Sequence, residues 1–295
     1  MRELQDAVLA WYAQHGRAQL PWRRAADPYR VFVSEYMLQQ TQVDRVIPAF
    51  EQFIERFDSF ASLAAAERAE VVRAWKGLGY NARAIRMHEA ARTIVAQHGG
   101  VIPESREQLR ALPGFGPYMT GAIRAFAFGL DDVALDVNLR RVMHRLHFGP
   151  EVPPRTKPAE VEARARALLP PGKAAAWNAA LMDLGAMVCT ARAPQCLFCP
   201  LRPWCAAAPL APQGVKPVAT PRNGPQARLP FPKTRRYARG RVLDRLRELA
   251  PGEKLSPAAF DSLLAPTPYS ADEILAGLER DGFLDRDENG VRLRP

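Results

Sequence analysis

Four cysteines stand in one short run, Cys189, Cys196, Cys199 and Cys205, spaced C-x6-C-x2-C-x5-C, and the 295-residue chain has no others. Four thiolates this close in sequence can surround one soft metal centre. Zinc sites built from four cysteines use two C-x2-C knuckles. Here one tight pair, Cys196 and Cys199, is flanked by two single cysteines. The spacing suits the corners of a [4Fe-4S] cubane better than two zinc knuckles, with zinc left as the alternative. Disulfides fit poorly, because loops this short strain two bridges and no secretory signal precedes them. Two carboxylates sit where protonation matters. Glu35 lies among Phe32, Val33, Met37 and Leu38, a setting that raises a carboxyl pKa and keeps its proton near neutral pH. A surface glutamate on a half-buried helix is the plain alternative. Asp136 stands at the start of a helical pattern, where it can cap the helix and is favoured as an anion by the helix dipole.

Leu112-Pro113-Gly114-Phe115-Gly116-Pro117-Tyr118 joins one short helical segment to another. Gly114 and Gly116 can take conformations closed to other residues. Two glycines so close free backbone N–H groups to face outward at a helix N-terminus, which makes an anion site suited to a phosphate. G-x-G alone also fits an ordinary corner. The net charge of +10 and pI of 9.8 point to a polyanionic partner, with nucleic acid the default and a solvated basic surface the bland alternative.

The elements that must position these residues read as mostly helical from 1 to 205. Pro28 to Phe50 carries apolar residues at helical spacing, and further helices are predicted at 67–76, 81–98, 105–111, 117–128, 137–147, 157–168 and 174–188. Residues 206–235 are rich in Pro, Ala and basic residues and read as an extended linker. Residues 236–295 read as a small separate unit of three helices and a β-hairpin, with Asp287-Glu288-Asn289-Gly290 as the turn, a winged-helix-like pattern. The fold class expected is therefore all-α, with a small α+β unit at the end. Hydrophobic residues at 47% suffice for real cores, and no apolar run is long enough to span a bilayer. The expected setting is the cytoplasm of a bacterial-type cell, associated with the nucleoid, and the expected state is a monomer.

Combined motifs from about residue 8 to 205 resemble the MutY-type adenine DNA glycosylases of the helix-hairpin-helix superfamily. The carriers are Leu20-Pro21-Trp22-Arg23, S-E-x-M-L-Q-Q-T-Q-V around Glu35, Gly77-Leu78-Gly79-Tyr80, L-P-G-x-G-x-x-T-G-A from Leu112, V-A-L-D-x-N-x-R-R-V around Asp136, and Met182-Asp183-Leu184-Gly185-Ala186 before the cysteines. The resemblance implies a two-lobed helical glycosylase whose cysteine loop, 189–205, holds a [4Fe-4S] cluster and orders a basic loop against DNA. It implies that Glu35 protonates a flipped adenine at N7 and that Asp136, with Asn138 beside it, stabilises the cationic sugar or briefly bonds to its C1′. An acid for the leaving group and an anion for the sugar are the usual pair for glycosidic bonds.

Tyr118 stands where bifunctional relatives place a lysine. Tyrosine forms no Schiff base, so base removal with little strand cutting is implied. Gln39, Gln40 and Thr41 match the segment that fills the gap left by the flipped base. Tyr80 matches a residue that intercalates beside the opposite base, Trp22 and Arg23 match a pocket wall, and Gly114 and Gly116 match the phosphate-binding hairpin. The implied partner is double-stranded DNA carrying a mismatch or an oxidised base, with adenine opposite 8-oxoguanine or guanine the substrate. A thymine or uracil mismatch glycosylase and a non-catalytic iron–sulfur mismatch binder are the alternatives. The chain departs from the family's pattern in two places. Nothing after residue 206 matches a Nudix-like domain, and Val137 stands where glycine is common.

Overall fold

The computed structural model describes residues 1–24, 27–151, 154–209 and 229–295. Fourteen α-helices and one hairpin are described. The helices are α1 (Arg2–His15), α2 (Pro28–Leu38), α3 (Val43–Arg56), α4 (Phe60–Ala65), α5 (Arg68–Ala74), α6 (Ala82–His98), α7 (Arg106–Ala111), α8 (Pro117–Phe128), α9 (Val137–His147), α10 (Pro158–Leu168), α11 (Ala174–Met187), α12 (Arg235–Arg247), α13 (Ala259–Leu264) and α14 (Ala271–Arg280). The strands are β1 (Leu284–Asp287) and β2 (Gly290–Leu293). They pair antiparallel, from Leu284 opposite Leu293 to Asp287 opposite Gly290. None of the described helices is long and apolar enough to cross a membrane.

The described residues fall into two compact units. One takes 1–32, 104–111 and 115–209; the other takes 33–103, 112–114 and 229–295. In the first, α9 buries Leu139, Val142, Met143 and Leu146, spaced at i, i+3, i+4 and i+7 on one face. They pack with Leu4 and Val8 of α1, Val161 and Leu168 of α10, and Trp177 and Leu181 of α11. The carboxylate of Asp132, 1% exposed, binds Arg106 at 2.5 Å, Arg124 at 2.8 Å and Arg166 at 3.1 Å. It ties α7, α8 and α10 to one point. Burial acts to raise this carboxyl, but the arginines and the Val133 N–H outweigh it and hold it below the usual range. A charge so compensated is costly to break from one side only.

In the second unit Phe53 packs edge-on against Trp75 at 6.5 Å between ring centroids. The helices and strands after residue 234 pack directly on α5 and α6. Val242, Leu246, Phe260, Leu278, Phe283 and Val291 share one cluster with Ala69, Val72 and Ile85. Polar contacts seal the edge. Arg247 donates to the Val72 carbonyl at 3.0 Å and to Asn81 at 2.8 Å, and Arg68 donates to the Gly282 carbonyl at 3.2 Å.

Three local differences from the sequence reading have physical causes. The helical spacing from Pro28 to Phe50 is not one helix: it stops at Leu38, turns through Gln40 at φ 57° and restarts at Val43. The buried Arg83 guanidinium stops it by taking the Tyr36 and Met37 carbonyls at 2.7 and 2.8 Å, groups that a helix end leaves unpaired. Helix α4 was not foreseen; Ser59 starts it with a capping box shared with Ser62. Most of the linker expected at 206–235, residues 210–228, lies outside the described residues. Its described start is anchored, with the Ala206 and Ala207 N–H groups on the Leu146 and Arg145 carbonyls at 3.0 and 3.1 Å.

Candidate active site

In the first unit a short extended segment delivers Asp136. Asn178, fully buried, accepts the Ala134 N–H at 2.8 Å and donates to the Asp132 carbonyl at 2.8 Å. The Asp136 N–H turns back onto the Ala134 carbonyl at 2.9 Å, the tight reversal of a γ-turn. Helix α8 lies close behind: a Cβ at Gly121 would stand 2.1 Å from the Val133 carbonyl oxygen. At Gly185 of α11 a Cβ would meet the Asn138 Cβ at 2.8 Å. These two glycines let helices close on the extended segment and the helix that carry Asp136.

Asp136 caps α9, accepting the Leu139 N–H at 2.6 Å. Its other oxygen accepts from Asn138 Nδ2 at 3.0 Å. Asn138 is held in turn by Arg141, which donates to Asn138 Oδ1 at 2.9 Å and to the carbonyls of Gly185 and Cys189 at 2.5 and 2.8 Å. The sequence reading favoured the anion at Asp136. Burial dominates instead and raises its carboxyl above the usual range, although the bonds from Leu139 and Asn138 oppose it. Val137, next in line, is 76% exposed.

Tyr118 stands half-buried in the first turn of α8. Gly116 caps that helix with φ −90° and ψ −177°, extended backbone open to any residue, so the expected special conformation is absent. Nothing stands within 4 Å of where its Cβ would be, and open space beside N–H groups is what an approaching anion needs. Trp22, 6% exposed, and Arg23 form a single 3-10 turn. Arg23 binds the buried Asp183 at 2.7 Å beside Arg17 at 2.6 Å. Burial acts to raise Asp183, and these two arginines outweigh it and hold the carboxyl low.

In the second unit Glu35 is 5% exposed on α2. The hydroxyl of its neighbour Tyr36 donates to the Pro113 carbonyl in the hairpin turn. Gly114 there has φ +81°, and a Cβ on it would meet the Tyr36 hydroxyl at 2.8 Å, so this position does require glycine. Arg83 joins two other turns. Besides Tyr36 and Met37 it reaches Thr41 Oγ1 at 2.9 Å and the Leu78 and Gly79 carbonyls at 3.2 and 3.0 Å. Burial lowers its pKa to about 10, with Tyr80 partly restoring it. Gln39, Gln40 and Tyr80 thus line one groove. Arg83, Arg141 and Asn178 were missed by the sequence reading. An arginine three residues after the G-L-G-Y turn is the signal available for Arg83, and an asparagine inside an apolar helix that for Asn178.

All four cysteines are free of disulfides and line one cavity with Arg145 and Arg202. Three of them pack against the first unit's core. Burial pushes the Cys199 thiol up to about 12 and raises those of Cys196 and Cys205. Arg145 donates to the Thr190 and Ala191 carbonyls at 2.7 and 2.9 Å, fixing the loop on α9. Among the described residues no three metal-ligating side chains converge as a single ion requires.

A glycine turn between two helices is followed by a helix capped by a half-buried aspartate. Residues 33–171 match the HhH-GPD superfamily base excision DNA repair protein family. The adenine DNA glycosylase of Mycolicibacterium smegmatis is 38% identical over 288 residues, 96% of this chain and 93% of that protein. A thymine-DNA glycosylase of Aeropyrum pernix is 34% identical over 207 residues, 68% of this chain and 92% of that one. The solved structure of a thermostable thymine-DNA glycosylase superposes with a TM-score of 0.63 at 26% identity, covering 71% of this chain and 98% of its own. The chain belongs to the adenine DNA glycosylase family within that superfamily.

Proposed function

We propose that this chain is a DNA glycosylase that hydrolyses the N-glycosidic bond of adenine mispaired with 8-oxoguanine or guanine, leaving the strand uncut. The observation that carries the reading is the match to an adenine DNA glycosylase at 38% identity along 96% of the chain. In this reading Glu35 donates the proton to N7 of the leaving adenine. Pyrimidines have no N7, which argues against the thymine alternative. Asp136 carries the negative charge that the oxocarbenium-like sugar needs, and Asn138 orients it. Tyr118 supplies no amine, so no Schiff base forms and the product is an abasic site. Gln39, Gln40 and Thr41 fill the vacated stack, Trp22 and Arg23 wall the pocket, and the Gly114–Gly116 turn holds a phosphate.

The test is a panel of labelled duplexes carrying A:8-oxoG, A:G, A:C, T:G and U:G, treated with alkali after incubation. Breaks at adenine in the first two support the reading. Breaks at thymine or uracil would replace it, and strand breaks without alkali would end the single-activity reading.

The cysteines fit a [4Fe-4S] cluster. Four thiols line one cavity, and a cubane takes one cysteine at each of its four irons. Bound there, the cluster supplies a rigid support for the loop 189–205. Purified without oxygen, the protein is expected to be brown and to hold about four irons per chain, and Cys199→Ser should lose that iron. Stoichiometric zinc without iron would overturn the assignment.

A further inference from the structure

The groove shared by Gln39, Gln40 and Tyr80 has a second wall from the C-terminal segment, and its volume is about 440 Å³. Five arginines line it, Arg83, Arg86, Arg235, Arg236 and Arg239, and no carboxylate does. Arg83 is buried on backbone carbonyls. Arg235 and Arg239 pair with Glu273 at 3.4 Å and Asp281 at 2.6 Å. Arg86 and Arg236, both exposed, have no carboxylate partner among the described residues. The Arg236 guanidinium lies 4.3 Å over the Tyr80 ring and donates to its hydroxyl at 2.7 Å. Gln40 and Tyr80 are the two non-glycine residues with positive φ among those described, 57° and 43°. Both strained residues therefore face the same groove, and strain of this kind persists where the surroundings hold it in place. Arg83 holds it here.

A guanidinium over an aromatic ring presents a flat cationic face on which a base can stack, and its edge donors suit a phosphate. We propose that this groove receives one nucleotide of the DNA strand opposite the excised adenine, its base on the Tyr80–Arg236 platform and its phosphate on Arg236 and Arg86. The proposal rests on the glycosylase reading above and adds the C-terminal segment to the surface that meets the opposite strand. Arg236, at the start of α12, becomes a binding residue, and the tail takes part in recognition in place of serving as an appendage.

The full chain with Glu35→Gln, which leaves adenine in place, is titrated with an A:8-oxoG duplex over a range of salt concentrations. Adding Arg236→Ala should weaken binding about tenfold, as loss of a charged hydrogen bond does. It should also make the log–log salt slope shallower by about one, as loss of a phosphate contact does. Arg236→Lys should restore the slope but not the full affinity, since an ammonium does not stack as a plate. Arg241→Ala removes an exposed charge from the same helix outside the groove and should change neither. Unchanged binding in Arg236→Ala, or an equal loss in Arg241→Ala, would overturn the proposal while adenine excision by the unmodified enzyme still stood. An unmodified enzyme that excises no adenine would instead remove the reading beneath it.

Discussion

Glu35→Gln is expected to bind a mismatched duplex nearly as the unmodified enzyme does and to release adenine at least about a hundredfold more slowly. The glutamine keeps the volume and one acceptor oxygen of a side chain that is 5% exposed, so the packing of α2 is kept. Its neighbour Tyr36 still anchors the helix to the hairpin turn at Pro113. What is lost is the transferable proton, and adenine is a poor leaving group without one. Single-turnover excision measured beside equilibrium binding separates the two effects. Normal turnover in this variant would remove Glu35 from the mechanism, and loss of binding would make it a structural residue.

Asp136→Asn should also lose excision by about a hundredfold or more, the scale of removing one placed electrostatic group. This variant carries a second signature that a simple helix cap would not produce. Asparagine caps a helix as well as aspartate, so the bond from the Leu139 N–H is kept. The carboxyl, however, is raised by burial: ionising it costs the folded protein more than it costs the unfolded chain. Its contribution to stability is fully present below the ordinary carboxylate pKa and is lost as pH rises through the raised folded value. At neutral pH the asparagine variant should therefore melt no lower than the unmodified enzyme. The gap should close as pH falls through the carboxylate range. In the unmodified enzyme, excision should decline on the acid side at a higher pH than an ordinary aspartate would give. A variant that excises normally, or that melts lower at neutral pH than at acid pH relative to the parent, would reduce Asp136 to a cap.

Much of the helical frame was legible. The predicted spans 117–128 and 137–147 coincide with α8 and α9, because Gly116-Pro117 and Asp136 mark their starts and the apolar period is clean. The hairpin turn at 287–290 was legible for the same kind of reason, an Asn-Gly pair between short apolar strands. The stop at Leu38 was not, since the residue that ends α2 is Arg83, more than forty positions away in the chain. Nor was the raised carboxyl of Asp136: the segment and helix on either side of it are closed in by Gly121, Asn178 and Gly185, which meet Val133, Ala134 and Asn138 and which no local pattern links to them. Motif spacing named the residues, while long-range polar contacts set their states. Residues 236–295 were read as separate because their helices have their own apolar faces, yet Ala69, Val72 and Ile85 complete the same cluster.

That shared cluster bears on how the chain is made. Val291 and Leu293 of β2 lie in it together with Ala69 and Val72 of α5, far earlier in the sequence. During synthesis the α5–α6 pair must wait, with its apolar face uncovered, until β2 has left the ribosome. A chain cut before Val291 loses two core side chains, as a pair of large-to-small substitutions would. A stop codon ahead of Val291 would therefore act as a folding lesion in residues made long before it.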